Sequence, residues 1–237
     1  MKHSVRFGII GCSNVARNSF LPALVKSKKA HLEFLGSRSD EKQLSFSKQF
    51  HCKNFGIYEK VLENKTVDAV YISLPPSLQE QWIIRAANAG KHIICEKSAT
   101  TSFQSAKKII NACKKNHVRI MEGFSFLYHP QHSSVMKYLN QNKIGRCSSL
   151  NAKFGFNLDK SPTDFRLKKE LGGGILNDVA CYIIKISTVI FQGIPNSVVC
   201  NLVYDKKYDI DIQGSISMSF KNNQVATGIF GYSNSFQ

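Results

Sequence analysis

This chain is short of negative charge. Its 237 residues carry 16 aspartates and glutamates against 32 lysines and arginines, a formal net charge of +16. Such an imbalance admits nucleic acid, an anionic membrane surface or phosphorylated ligands as partners. The lysine doublets Lys28–Lys29, Lys107–Lys108, Lys114–Lys115, Lys168–Lys169 and Lys206–Lys207 are scattered over the whole length. They form no single stripe with aromatics between, so a solvated surface is favoured and a nucleic-acid groove is not. Long hydrophobic runs are missing too: no stretch approaches the roughly 20 apolar residues of a membrane-spanning helix. The opening run Val5 to Ile10 is too short for a secretory core, and the expectation is a soluble, cytoplasmic protein. No pair among the seven cysteines, Cys12, Cys52, Cys95, Cys113, Cys147, Cys181 and Cys200, has CxxC spacing, and the number is odd. Neither a disulfide framework nor a metal site is expected, and the thiols read as buried and reduced. There is no internal repeat and no low-complexity linker. With 43% hydrophobic residues, the chain can still bury one large or two modest cores.

The first half alternates apolar runs with amphipathic segments. Val5–Ile10, Leu32–Leu35, Asp68–Ile72, His92–Cys95 and Arg119–Met121 read as strands. Asn14–Lys28, a helix from a capping Asp40 to Phe50, Leu78–Ala89 before Gly90, and Ser102–Asn116 read as helices. Repeated alternation predicts a doubly wound parallel sheet with right-handed crossovers. After about Gly145 the pattern changes. A single helix, Gly174 to Phe191, precedes three long strand-like segments, Asn196–Tyr204, Ile210–Phe220 and Gln224–Tyr232. Ser215, Ser217 and Ser219 alternate with Ile216, Met218 and Phe220, which predicts an antiparallel sheet with one covered face. Gly228 to Tyr232 looks like a strand in mid-sheet with only Ser233 to Gln237 after it, so the sheet is expected to be incomplete and to leave an exposed edge.

The first strand runs straight into Gly11–Cys12–Ser13–Asn14–Val15–Ala16, which has GxGxxG/A spacing with serine at the second glycine position. The first glycine permits the tight turn, and the small third position lets helix and strand pack closely. The pyrophosphate of a dinucleotide would sit at the helix N-terminus, where free N–H groups favour negative charge. The Ser13 hydroxyl is a candidate donor to phosphate. The competing reading is an ordinary strand-to-helix turn. After the second strand, where an acidic residue would serve NAD, stand Ser37 and Arg38. They suit a 2′-phosphate, so NADP is expected ahead of NAD unless Arg38 is merely a surface residue.

Several further segments follow in order: Tyr71–Ile72–Ser73–Leu74–Pro75 then Leu78–Gln79; Gly90–Lys91–His92 then Glu96–Lys97; Met121–Glu122–Gly123–Phe124; Tyr128–His129–Pro130–Gln131; and Gly172–Gly173–Gly174–Ile175–Leu176–Asn177–Asp178 ending at Tyr182. In order and spacing the chain resembles the Gfo/Idh/MocA oxidoreductases, and within them the glucose–fructose oxidoreductase and dihydrodiol dehydrogenase branch. The resemblance implies a Rossmann domain, residues 1–124. It also implies an α+β substrate and oligomerisation domain, residues 125–237, with an open, mainly antiparallel sheet. It implies hydride exchange between nicotinamide and a carbinol or carbonyl carbon of a sugar, nucleotide sugar or polyol. Lys97 matches the family's catalytic lysine, and Asp178 and Tyr182 match its substrate-binding and proton-transfer residues. Cofactor contacts are expected at residues 11–16, Ser37, Arg38, Leu74, Pro75, Glu96 and Lys97. Substrate contacts are expected at Lys97, Tyr128, Phe165, Asp178 and Tyr182. A homo-oligomer, dimer or tetramer, would form through the C-terminal sheet. A free tyrosine is a poor base near neutrality, and a neighbouring lysine ammonium would favour tyrosinate. The spacing of Asp178 and Tyr182 puts them on one helix face, and the triple glycine allows close backbone approach. Ser98 stands where the family has proline, often cis, so Lys97 is expected to be aimed differently; Leu127 and Gln79 replace arginine and histidine. Together with a length about a quarter short of the family's, these departures leave a shortened, catalytically weak or regulatory homologue as the alternative.

Overall fold

The computed structural model describes residues 4–159, 161 and 163–233. They divide into two compact units, Met1–Gly123 and Phe124–Gln237.

The first unit is built on six parallel strands: β1 (Val5–Ile10), β2 (Ala30–Gly36), β3 (Phe55–Gly56), β4 (Ala69–Ile72), β5 (His92–Cys95) and β6 (Ile120–Glu122). Their spatial order is β3-β2-β1-β4-β5-β6, so the winding reverses between β1 and β4. Helical turns at Ala16–Phe20 run on into α1 (Leu21–Lys26), followed by α2 (Asp40–Phe50), α3 (Tyr58–Glu63), α4 (Pro76–Asn88) and α5 (Phe103–Lys115). Successive residues of a strand face opposite sides of the sheet, and each side has its own core. Ile10, Val70 and Ile72 pack with Val61, Trp82 and Ile83 on one side. Ile9 and Tyr71 pack with Ala16, Leu21 and Phe46 on the other. β4 is buried along its whole length, which is why it reads as an unbroken apolar run. The cap of α2 is Ser39, not Asp40: its hydroxyl accepts the Lys42 N–H at 3.3 Å, while Asp40 and Glu41 occupy the first turn. Strand β3 and helix α3 escape a sequence reading because two and six residues are too short to show a period. Buried Lys91 donates from Nζ to the carbonyls of Asn64, 2.7 Å, and Val67, 2.8 Å, pinning the end of α3 to the start of β5.

The second unit begins with a turn at Ser125–Tyr128 and contains α6 (Pro130–Asn140), β7 (Ser149–Gly155), helical turns at Leu176–Ala180 continuing into α7 (Cys181–Ile190), β8 (Ser197–Asp205), β9 (Ile210–Phe220) and β10 (Gln224–Gly231). The sheet order is β7-β10-β9-β8. Strands β8, β9 and β10 are antiparallel, whereas β7 joins β10 in parallel, so the sheet is mixed. The alternation in β9 is realised: Ile216, Met218 and Phe220 are buried, and Ser215, Ser217 and Ser219 face outward. The last strand-like segment lies in mid-sheet, since β10 is between β7 and β9. The exposed edge carrying Val198, Val199, Val203 and Tyr204 is β8. Helix α6, which lies ahead of Gly145 and has no buried residue, and strand β7 have no counterpart in the sequence reading.

The stretch Lys169–Ile190 does have the length and composition of a membrane span. However, positive φ at Gly172 and Gly174 breaks it, and Ile175, Val179, Ala180 and Ile183 belong to the second unit's core. The seven cysteines form no disulfide. Four are buried, but Cys147 and Cys181 are half-buried and Cys200 is exposed, against the expectation that all would be interior.

Candidate functional site

In the first unit the loops after β1, β2, β4 and β5 all emerge at the carboxyl edge of a parallel sheet, around the point where the strand order reverses. Crevices at such points take ligands in open α/β sheets. Gly11 turns the chain there with φ +104°, and a Cβ on it would lie 2.9 Å from Leu74 Cδ2 and 3.0 Å from the Ser73 carbonyl. Glycine is therefore required twice over, by conformation and by space. Leu74 thus packs against the loop; Pro75 follows it, just ahead of α4. Cys12 is buried, its thiol 3.7 Å from the Gly36 carbonyl and pushed up to about 11 by burial; it is an inert wall. Asn14 and Val15 are exposed at the tip, and Ala16 is fully buried, as the close helix–strand contact demands.

Ser13 departs from expectation. Its Oγ accepts the Ala16 N–H at 3.1 Å and donates to Ser73 Oγ at 2.9 Å, and Ser73 in turn donates to the Gly11 carbonyl at 2.7 Å. The hydroxyl closes the loop on itself instead of pointing outward as a phosphate donor. Phosphate recognition in this loop would rest on backbone amides.

Ser37 is buried and shapes the turn into α2: its Oγ accepts the Ser39 N–H at 3.2 Å and its carbonyl accepts from Gln43 at 2.8 Å. Arg38 is exposed beside Tyr58; burial pushes that phenol up and the guanidinium partly opposes it. At the end of β5, the Glu96 carboxylate accepts the Tyr71 hydroxyl at 2.6 Å. Burial first, and Glu96 second, push the Tyr71 phenol far above its ordinary value, so it stays a donor. Lys97 is half-buried, and the Lys97–Ser98 peptide is cis despite the serine, so the departure from proline does not bring a trans bond. Glycine turn, small buried Ala16 and clustered loop ends fit a dinucleotide.

In the second unit Asp178 and Tyr182 sit in different chemistry. Asp178 is buried and accepts from Arg166 Nε at 2.7 Å and from the Tyr232 hydroxyl at 3.4 Å. Burial alone would lower the Arg166 guanidinium; Asp178 foremost, with Asp164 and Tyr232, holds the group above its ordinary value. Phe165 lies under that guanidinium, 4.9 Å from ring centre to Cζ. Tyr182, by contrast, is set among Phe124, Phe126 and Phe154, with ring centroids 5.7, 5.5 and 5.2 Å away. Tyr128 is largely exposed. The triple glycine serves the fold itself: a Cβ on Gly173 would meet the Arg166 carbonyl at 2.5 Å, and Gly174 makes room for Asp211, whose Oδ2 accepts the Leu176 N–H at 2.5 Å. Sequence reading missed Arg166, Asp211 and Tyr232. Arg166 alone left a signal, as a lone cation beside Phe165 just before the glycines. Among the described residues no three His, Cys, Asp or Glu side chains are grouped to hold a metal ion.

Comparison with known proteins gives matches along nearly the whole chain. Residues 5–124 match the profile of the GFO/IDH/MocA oxidoreductase family, NAD-binding Rossmann fold. Residues 132–236 match the GFO/IDH/MocA C-terminal domain. A dTDP-3,4-didehydro-2,6-dideoxy-alpha-D-glucose 3-reductase from Actinomadura kijaniata is 31% identical over 237 residues, covering 98% of this chain and 71% of the relative. The enzyme of the same name from Saccharopolyspora spinosa is 30% identical over 234 residues, 98% of this chain and 70% of the relative. Among solved structures, a 3-ketoreductase from Actinomadura kijaniata, crystallised with NADP and TDP-benzene, superposes with a TM-score of 0.93 at 30% identity, covering 99% of this chain and 72% of that one.

Proposed function

The chain belongs to the GFO/IDH/MocA family and is an NAD(P)-dependent oxidoreductase, and on that premise we propose that it exchanges hydride between NADP and a carbinol or carbonyl carbon of a sugar or nucleotide sugar. The relatives that are nucleotide-sugar 3-reductases, and the neighbour crystallised with NADP, support that substrate class and coenzyme. The observation that carries the reading is the gathering of the Gly11, Ser37, Leu74 and Lys97 loops at the reversal of the first sheet.

In this proposal residues 1–124 hold the dinucleotide, with the amides of Gly11–Ala16 at the pyrophosphate, Leu74, Pro75 and Glu96 lining the loops, and Ser37 and Arg38 at a 2′-phosphate. The nicotinamide supplies or takes the hydride. Residues 125–237 take the substrate. Lys97 contributes a fixed positive charge where oxygen becomes negative. Tyr182 moves the hydroxyl proton from its aromatic surroundings. Asp178 and Arg166, already bonded to each other, address substrate hydroxyls, with Phe165 and Tyr128 as walls. Self-association through the β7–β10 sheet and a cytoplasmic setting belong to the same proposal.

The test is NADPH consumption with a thymidine-diphosphate-linked keto sugar, alongside melting with NADP and with NAD. NADP at a hundredfold excess over Kd should stabilise by about 2.7 kcal/mol, and NAD should do less. Lys97→Ala and Tyr182→Phe should each cut turnover steeply with folding intact. A fully active double variant would end the assignment.

A further inference from the structure

The loop after β5 carries Lys97, yet the side chains that fix it come from three other elements of the same unit. Cys95, the last residue of β5, pairs across the parallel ladder with Glu122 at the end of β6. From that register the Glu122 carboxylate reaches beyond the strand end, and its Oε1 accepts the Ala99 N–H at 2.8 Å. Gln79 on α4, wholly buried, donates from Nε2 to the Ser98 carbonyl at 3.1 Å. On the near side, the Glu96 N–H is held by the Ile72 carbonyl at 2.8 Å and its carboxylate by Tyr71. Tyr71 is itself fixed, its ring stacked on Phe20 at 3.8 Å. Residues 96, 98 and 99 are therefore each tied down, and Lys97 stands between them. A half-buried carboxylate such as Glu122 costs desolvation unless its oxygens are bonded, and here the bond goes to the peptide two residues beyond the lysine.

We infer that Glu122, with Gln79 as its counterpart, is a positioning residue that sets the direction of Lys97 by gripping the Ser98–Ala99 peptide plane at both its N–H and its carbonyl. This rests on the proposed role of Lys97 in the reaction. The lysine's long stem amplifies any swing of its Cα–Cβ bond, and a displacement of about 1 Å can cost on the order of a hundredfold in rate.

Glu122→Gln keeps an oxygen at the acceptor position and removes the charge; Glu122→Ala removes both. Two readouts apply to the full chain. The first is acetylation of Lys97 by acetic anhydride relative to Lys28 and Lys221, located by mass spectrometry, which needs no substrate. The second is the split between kcat and the KM for NADPH in the assay above. Glu122→Gln should match the parent in both. Glu122→Ala should raise the Lys97 labelling rate and lower kcat about tenfold or more, leaving the KM for NADPH and the melting temperature near the parent. Unchanged labelling in Glu122→Ala overturns the inference. So does an equal response of both variants, which would mean that charge and not placement matters. If Glu122→Ala does not fold, Gln79→Met removes the other tie and is read in the same way. An active Lys97→Ala would sink the role given to Lys97, whereas an inactive Lys97→Ala beside a fully active Glu122→Ala would sink this inference alone.

Discussion

Replacing Arg166 by methionine, which keeps an unbranched stem and removes the guanidinium lying over Phe156 and Phe165, isolates the guanidinium's work. In the parent, Nε donates to a carboxylate whose side chain is 7% exposed, at 2.7 Å. A hydrogen bond to a charged group is worth about 1.5–3 kcal/mol, and breaking a buried ion pair by removing one partner costs about 3–5 kcal/mol. The Arg166 side chain is 31% exposed and the Tyr232 hydroxyl still reaches Asp178. Both lower the cost, to about 3 kcal/mol, or roughly 10 °C in the melting of a unit this size. Differential scanning calorimetry and urea unfolding of the parent, Arg166→Met, Asp178→Asn and the double variant give the cycle. The coupling should be about 1 kcal/mol or more. A melting loss under about 2 °C, or strictly additive single variants, would refute the view that this pair holds the second unit's polar centre.

Two further outcomes are expected. Asp68 is lowered from 3.8 to about 2, first by its bond from Arg6; its contribution is therefore full above about pH 4 and lost as pH falls toward 2. Melting curves of parent and Asp68→Asn should converge over that interval, and a gap that persisted or widened there would contradict the assignment. Gly174→Ala should destabilise by about 2–3 kcal/mol in urea, since φ is +105° and a Cβ would run into the Asp211 carboxylate that caps the Leu176 N–H; a parent-like midpoint would contradict it.

The linear sequence by itself determined the first unit's architecture and the place of its nucleotide loop. β4 and the second half of β1, Gly8–Ile10, are buried by neighbours on both faces, and Gly11 and Ala16 are dictated by local conformation and size. Such requirements are local and periodic, so they leave a mark in a single chain. The serine alternation in β9 survives for the same reason. What only tertiary structure decided is which partner each polar group takes. Ser13 turns to Ser73, 60 residues away, instead of outward. Asp178 is claimed by Arg166 and Tyr232, and the glycines before it make room for Asp211. The parallel pairing of β7 with β10 and the role of Glu122 at Ala99 likewise join segments far apart in sequence. A side chain's hydrogen-bonding capacity is written in its identity, but its partner is set by which distant strands and turns the fold brings within about 3 Å, and no spacing along the chain encodes that distance.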